Sequence, residues 1–185
     1  YQVSPAKPDT SVDLVWIGSS STRKHLMTIL PALERAAEQL PALRLKIIAD
    51  FDIQARALEV LAVRWTADGE AEALASSHIG IAPLPDNDFT RGKCGLKILQ
   101  YMAAGLPVVG FAAGGIVEAI ADGRTGLLVE PEDTDALGSA IARLIDDPDL
   151  AAKLGAAGRA RMQNEFSIAT MADKHVNLYE TVLNG

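Results

Sequence analysis

The sequence predicts an α/β domain built on a doubly wound parallel sheet with helices on both faces. Three observations carry this. Short apolar runs alternate with helical patterns from residue 12 onward. Those runs lack the polar alternation of a strand with one wet face, as expected of strands buried on both sides. The 185 residues, 49% hydrophobic and 22% charged, suit one compact soluble domain with a sizeable core.

Residues 1–11 (YQVSPAKPDTS) are polar with two prolines and read as a linker or arm. Val12–Ile17 is the first strand, ending at Gly18. In His25–Leu40 the residues Leu26, Leu30, Leu33, Ala37 and Leu40 share one helical face. Pro31 lies inside that pattern and should kink the helix or mark its true start. Arg44–Ile48 and Glu59–Trp65 follow as strands, then a short helix over Gly69–Ser76 and a strand over His78–Ala82. The pattern continues with a helix over Gly95–Ala104, a strand over Pro107–Phe111, a helix over Ile116–Ala121 and a strand over Thr125–Val129. Asp133 can cap the next helix, whose Leu137, Ile141, Leu144 and Ile145 form an apolar stripe. Two last helices span roughly Pro148–Glu165 and Ile168–Leu183. In such sheets ligands bind beyond the carboxyl ends of the strands.

Composition excludes several functions. The formal net charge of −7 argues against a broad basic surface for nucleic acid. One cysteine, Cys94, allows neither an internal disulfide nor a cysteine metal cluster. No stretch approaches the roughly 20 apolar residues that span a bilayer, and no signal peptide opens the chain. The first residue is Tyr1 rather than methionine, so the expectation is a fragment whose native N-terminus lies upstream. His25, His78 and His175 are widely spaced and share no metal-ligand pattern. His78, beside a core strand, reads as a structural histidine.

Three segments can carry chemistry. Gly18-Ser19-Ser20-Ser21-Thr22-Arg23-Lys24 follows the first strand and feeds a helix, so small residues, hydroxyls, free amides and two cations converge. That describes a phosphate site, and equally an ordinary serine-rich turn. Arg91-Gly92-Lys93-Cys94-Gly95-Leu96-Lys97 concentrates positive charge at a helix start in an acidic protein, which suits a phosphate-bearing ligand. Gln100, one turn beyond Lys97, projects near the same side. Gly114-Gly115 precedes a third helix and leaves free amides. Asp50 and Asp52 follow the second strand, where a dinucleotide-binding fold places its ribose acid. The glycine fingerprint that should accompany them is missing from Gly18–Lys24.

The run Gly92–Val109 with Gly114-Gly115-Ile116-Val117-Glu118 resembles the donor-binding half of family 4 glycosyltransferases, the retaining GT-B group. Asp122–Val129, the tail from Asp133 through Asp147-Pro148 and Gly158-Arg159 to Phe166-Ser167, Trp16-Ile17-Gly18 and Ile79–Leu84 continue the match in order. The resemblance implies two Rossmann-like domains in the whole enzyme, with residues 12–167 as the nucleotide-sugar-binding one. The helix 168–185 would pack toward the absent N-terminal domain. It implies a nucleotide-sugar donor, no cofactor and no metal, and an acceptor sugar, lipid or glycan held by the other domain. It also implies a cytoplasmic protein, including peripheral association with the cytoplasmic face of a membrane. Residue by residue, it implies that Gly18, Ser19, Thr22, Arg23, Lys24, Lys93, Gly95, Leu96 and Lys97 surround the diphosphate and that Gly114 also binds the donor. Gln100 would sit by the ribose and Trp65 near the base, with Lys97 and Lys24 stabilising the departing nucleotide. The chain departs from the family at Gly92 and Gln100, where many members carry glutamates, and at Ala49–Asp52, where relatives often have glycine. Two other functions stand beside transfer: a non-catalytic nucleotide-sugar-binding module and a nucleotide-sugar epimerase.

Overall fold

The structure, a computed structural model, describes residues 6–8 and 10–184. Most of the expected arm lies outside these. The strands are β1 (Val12–Ile17), β2 (Leu43–Ala49), β3 (Glu59–Arg64), β4 (Ile79–Ala82), β5 (Val108–Phe111) and β6 (Leu127–Val129). They form one parallel sheet in the order β3-β2-β1-β4-β5-β6. This is the doubly wound arrangement the sequence predicts, with its order reversing at β1 and β4.

The helices are α1 (Arg23–Gln39), α2 (Glu70–Ala75), α3 (Asp88–Arg91), α4 (Leu96–Ala103), α5 (Gly115–Ala119), α6 (Thr134–Asp146), α7 (Pro148–Glu165) and α8 (Ile168–Asn184). Side chains of β1 alternate between two cores. Leu14 and Trp16 pack with Leu26, Leu33, Leu137 and Ile141 on one face. Val15 and Ile17 pack with Leu74, Ile98, Tyr101 and Met102 on the other. Both faces are apolar, so the strand reads as a continuous hydrophobic run.

Pro31 neither starts nor ends a helix: α1 begins eight residues earlier and runs through it. Met27, whose carbonyl the proline deprives of a partner, is exposed, as is Pro31 itself, so water can satisfy that carbonyl. Two elements escape the sequence patterns, the 3-10 turn Ser20–Thr22 and α3, each about one turn long. Asp133 and Asp147 cap α6 and α7, accepting from Ala136 N and Leu150 N at 2.8 and 2.9 Å. No helix among the described residues is long and apolar enough to cross a membrane.

Candidate functional site

A cleft of about 730 Å³ opens at the carboxyl ends of β1 to β4. Gly18 and Ser19 follow β1, Asp50 follows β2, Trp65 follows β3, and Ala82 and Leu84 come from the end of β4. Lys93, Gly95, Leu96, Lys97 and Gln100 close it from the start of α4. Eight of the predicted residues line this cleft together: Gly18, Ser19, Trp65, Lys93, Gly95, Leu96, Lys97 and Gln100.

Lys97 dominates the cleft electrostatically. Its Nζ lies 4.1 Å from the centroid of the Trp16 ring and donates to Thr22 Oγ1 at 3.4 Å. Among the described residues it pairs with no carboxylate. Burial, and then the neighbouring charge of Lys93, lowers its pKa from the usual 10.5 to about 8. Trp16 is itself fixed against Phe51 at 5.7 Å, whose ring carries the Arg23 guanidinium at 5.5 Å. The indole face thus offers Lys97 a quadrupole partner in place of an anion. Leu96 and Lys97 belong to the uncapped first turn of α4, whose amides find no partner within the helix. Free amides, the positive end of a helix and an unneutralised ammonium face the same space, the arrangement that binds a phosphate.

Gly18 permits this contact. A methyl group there would strike the Trp16 ring and stand 2.7 Å from Lys97 Nζ. Gly114, the glycine expected to bind the donor, has a backbone role in the fold. Its φ of 50° and ψ of −139° suit glycine alone, and a methyl group would meet Thr90 O at 2.5 Å. It packs the start of α5 against the loop that carries Lys93, and does not line the cleft.

The other predicted cations are placed less centrally. Lys24 is exposed on the first turn of α1 and, like Thr22 and Arg23, does not line the cleft. Arg91 is held by Asp86 through two bonds of 2.7 and 2.9 Å, which neutralise it. Lys93 extends over the Phe89 ring, 4.6 Å from its centroid.

Two acids also line the cleft: Asp50, raised in the sequence only as a ribose acid without its glycine fingerprint, and Glu70, which the sequence did not mark. Asp50 accepts from Ser20 N at 2.8 Å and Ser20 Oγ at 3.1 Å, and these bonds hold its carboxyl below the usual range. Glu70 accepts from the Trp65 indole at 2.6 Å and from the Gln100 amide at 2.7 Å. The available signal was positional: Glu70 opens the helix that follows Trp65 at a strand's carboxyl end. His78 is structural, its Nδ1 accepting from Asp13 N at 2.9 Å. Among the described residues no group of three or more His, Cys, Asp or Glu side chains gathers as a metal centre requires.

Residues 11–147 match the family described as Glycosyl transferases group 1. The chain belongs to the group 1 glycosyltransferases. The glycogen synthase of Mycobacterium tuberculosis is 30% identical to it over 181 residues, covering 94% of this chain and 43% of that protein. The GDP-mannose-dependent monoacylated alpha-(1-6)-phosphatidylinositol monomannoside mannosyltransferase of Corynebacterium glutamicum is 37% identical over 87 residues, or 47% of this chain and 23% of that protein. Among solved structures, the sucrose-phosphate synthase of Thermosynechococcus elongatus superimposes with a TM-score of 0.76 at 27% identity, covering 95% of this chain and 46% of the other. This group 1 glycosyltransferase chain therefore spans less than half the length of each relative it is compared with.

Proposed function

We propose that the chain is the donor-binding domain of a glycosyltransferase and that its cleft holds the diphosphate of a nucleotide sugar. The observation that carries this is Lys97: a largely buried ammonium without a carboxylate, beside free helix amides, where a parallel sheet receives ligands. Placing a dianionic diphosphate there would neutralise the charge and raise the Lys97 pKa back toward its usual value. As the glycosyl bond breaks, negative charge grows on the departing nucleoside diphosphate, and Lys97 with the α4 amides would stabilise it. Lys93 adds to the field, while Lys24 acts from the rim.

Those groups can neutralise a diphosphate without a divalent cation, so transfer is proposed to be metal-independent; the family resemblance supports retention of configuration. The donor named for the mannosyltransferase relative, GDP-mannose, is consistent with a nucleotide-sugar site. The acceptor, a sugar, lipid or glycan, would lie on a second domain. The helix α8 supports that arrangement, since Ile168, Met171, Val176, Leu178, Tyr179 and Val182 are all exposed and would be covered by it.

Calorimetric titration with UDP, GDP, ADP and their sugar conjugates tests the proposal. One base should bind equally with and without a chelator, and Lys97→Ala should weaken it by roughly 10- to 100-fold, the worth of a charge-assisted hydrogen bond. Binding that needs added magnesium would contradict metal independence. No binding at all would contradict the cleft's assignment. A product formed without acceptor would instead identify an epimerase.

A further inference from the structure

We propose that Glu70 makes this cleft selective for a ribonucleotide, its carboxylate accepting hydrogen bonds from the ribose hydroxyls while fixing Trp65 beside the base. The inference rests on the donor-cleft reading above and adds to it a residue and an orientation for the nucleoside.

The carboxylate joins two side chains that the fold delivers from separate elements. Its Oε2 takes the indole N–H of Trp65, which follows β3, and its Oε1 takes the amide of Gln100 on α4. Both bonds are short and charge-assisted. Trp65 is 49% exposed, so this tether does not serve core packing. An indole left half in water would rotate freely; held by Glu70, it presents a fixed ring to the cleft that both residues line.

Charge gives the cleft a direction. Lys97 and the uncapped amides stand at the start of α4, and Gln100 lies three residues on, about 4.5 Å along the helix axis. A diphosphate is drawn to the first end and repelled by the carboxylate at the other. The sugar between diphosphate and base is neutral and carries hydroxyl donors. Because the Gln100 amide nitrogen is turned to Glu70, this end presents acceptors, the complement of a diol. A carboxylate accepts along about four directions, so ribose hydroxyls can share it with the indole and the amide. A nucleotide lacking them forgoes those charge-assisted bonds at a half-buried carboxylate, which is how a polar site discriminates against an analogue. Glu70 also stands in the first turn of α2, where an acid favours the helix dipole. That role alone would confer no preference between ribose and deoxyribose.

The test compares three probes on the same chain: a ribonucleoside diphosphate, its 2′,3′-dideoxy counterpart and inorganic pyrophosphate. The wild type should prefer the ribonucleotide over the dideoxy form by roughly tenfold or more. Glu70→Gln should bind both alike while keeping its pyrophosphate affinity, which shows the fold and the cationic end intact. Trp65→Phe should weaken both nucleotides and keep the preference. Loss of pyrophosphate and nucleotide binding together in Lys97→Ala would confirm the cationic end independently. Glu70→Gln retaining the wild-type preference, or a wild type with none, would overturn the role of Glu70 and leave the diphosphate site standing. A wild type that binds none of the three would overturn both.

Discussion

Lys97 shows how a buried cation without a carboxylate is made from ordinary parts. An ammonium that loses water and gains only an indole face and a hydroxyl is less willing to carry its proton, hence the pKa near 8. Between about 8 and the usual 10.5 the unfolded chain keeps a proton that the folded chain has released, so stability should rise with pH across that window. Urea denaturation of wild type and Lys97→Met at a series of pH values should show this rise as the difference between them. A nucleotide sugar, whose phosphates do not titrate there, should bind more weakly as pH rises past 8, because the bound anion favours charged Lys97. Gly18→Ala should cost about 1–3 kcal/mol in the same denaturation measurement, since the nearly sealed Trp16 ring cannot retreat. The lysines were legible in the sequence because cations at a helix start after a glycine need only local spacing. Glu70 was not, because its partners lie 5 and 30 residues away and meet only through the sheet.

At the scale of elements, Tyr101 locks α4 to the sheet where the order of strands reverses. Its buried hydroxyl accepts from Ile17 N at 3.0 Å and donates to Ile81 O at 3.2 Å, joining the carboxyl ends of β1 and β4. Burial pushes its phenol well above the ordinary tyrosine value, so it stays a donor across the working range. Tyr101→Phe should cost about 1–3 kcal/mol, because Ile17 N–H loses its acceptor in the core; chemical denaturation at fixed pH measures it. The same change should loosen the floor of the cleft and weaken nucleotide binding. Strands and long helices were readable because buried runs and 3.6-residue stripes extend over enough positions to show a period. The 3-10 turn and α3 show none, since one turn contains no repeat. Asn87 and Thr90 stabilise α3 through a reciprocal cap that spacing alone does not announce. Arg91 looked like a ligand cation for a similar reason: its partner Asp86 comes from the preceding loop, and only the folded turn brings them together.

Across the whole molecule, two cores on either side of one sheet account for the stability, and α8 adds little to either. None of its described side chains is buried. Removing residues 168–185 should therefore shift the melting temperature by no more than a few degrees, as read by circular dichroism. A collapse of the melting transition would show that α8 is integral to this domain. The doubly wound parallel sheet and the position of the cleft beyond its strand ends were legible from the strand–helix alternation, whereas the order β3-β2-β1-β4-β5-β6 needed the fold itself. That α8 packs on neither core was not legible, because helical spacing shows an apolar stripe and not what lies against it. The assignment of the cleft is tested most directly by amide chemical-shift mapping during titration with a nucleoside diphosphate. Shifts should concentrate at Gly18, Ser19, Leu96, Lys97 and Gln100, and in Lys97→Ala should need roughly 10- to 100-fold more nucleotide to appear. Shifts clustered instead at the opposite ends of the strands, around Lys7 and His78, would contradict it.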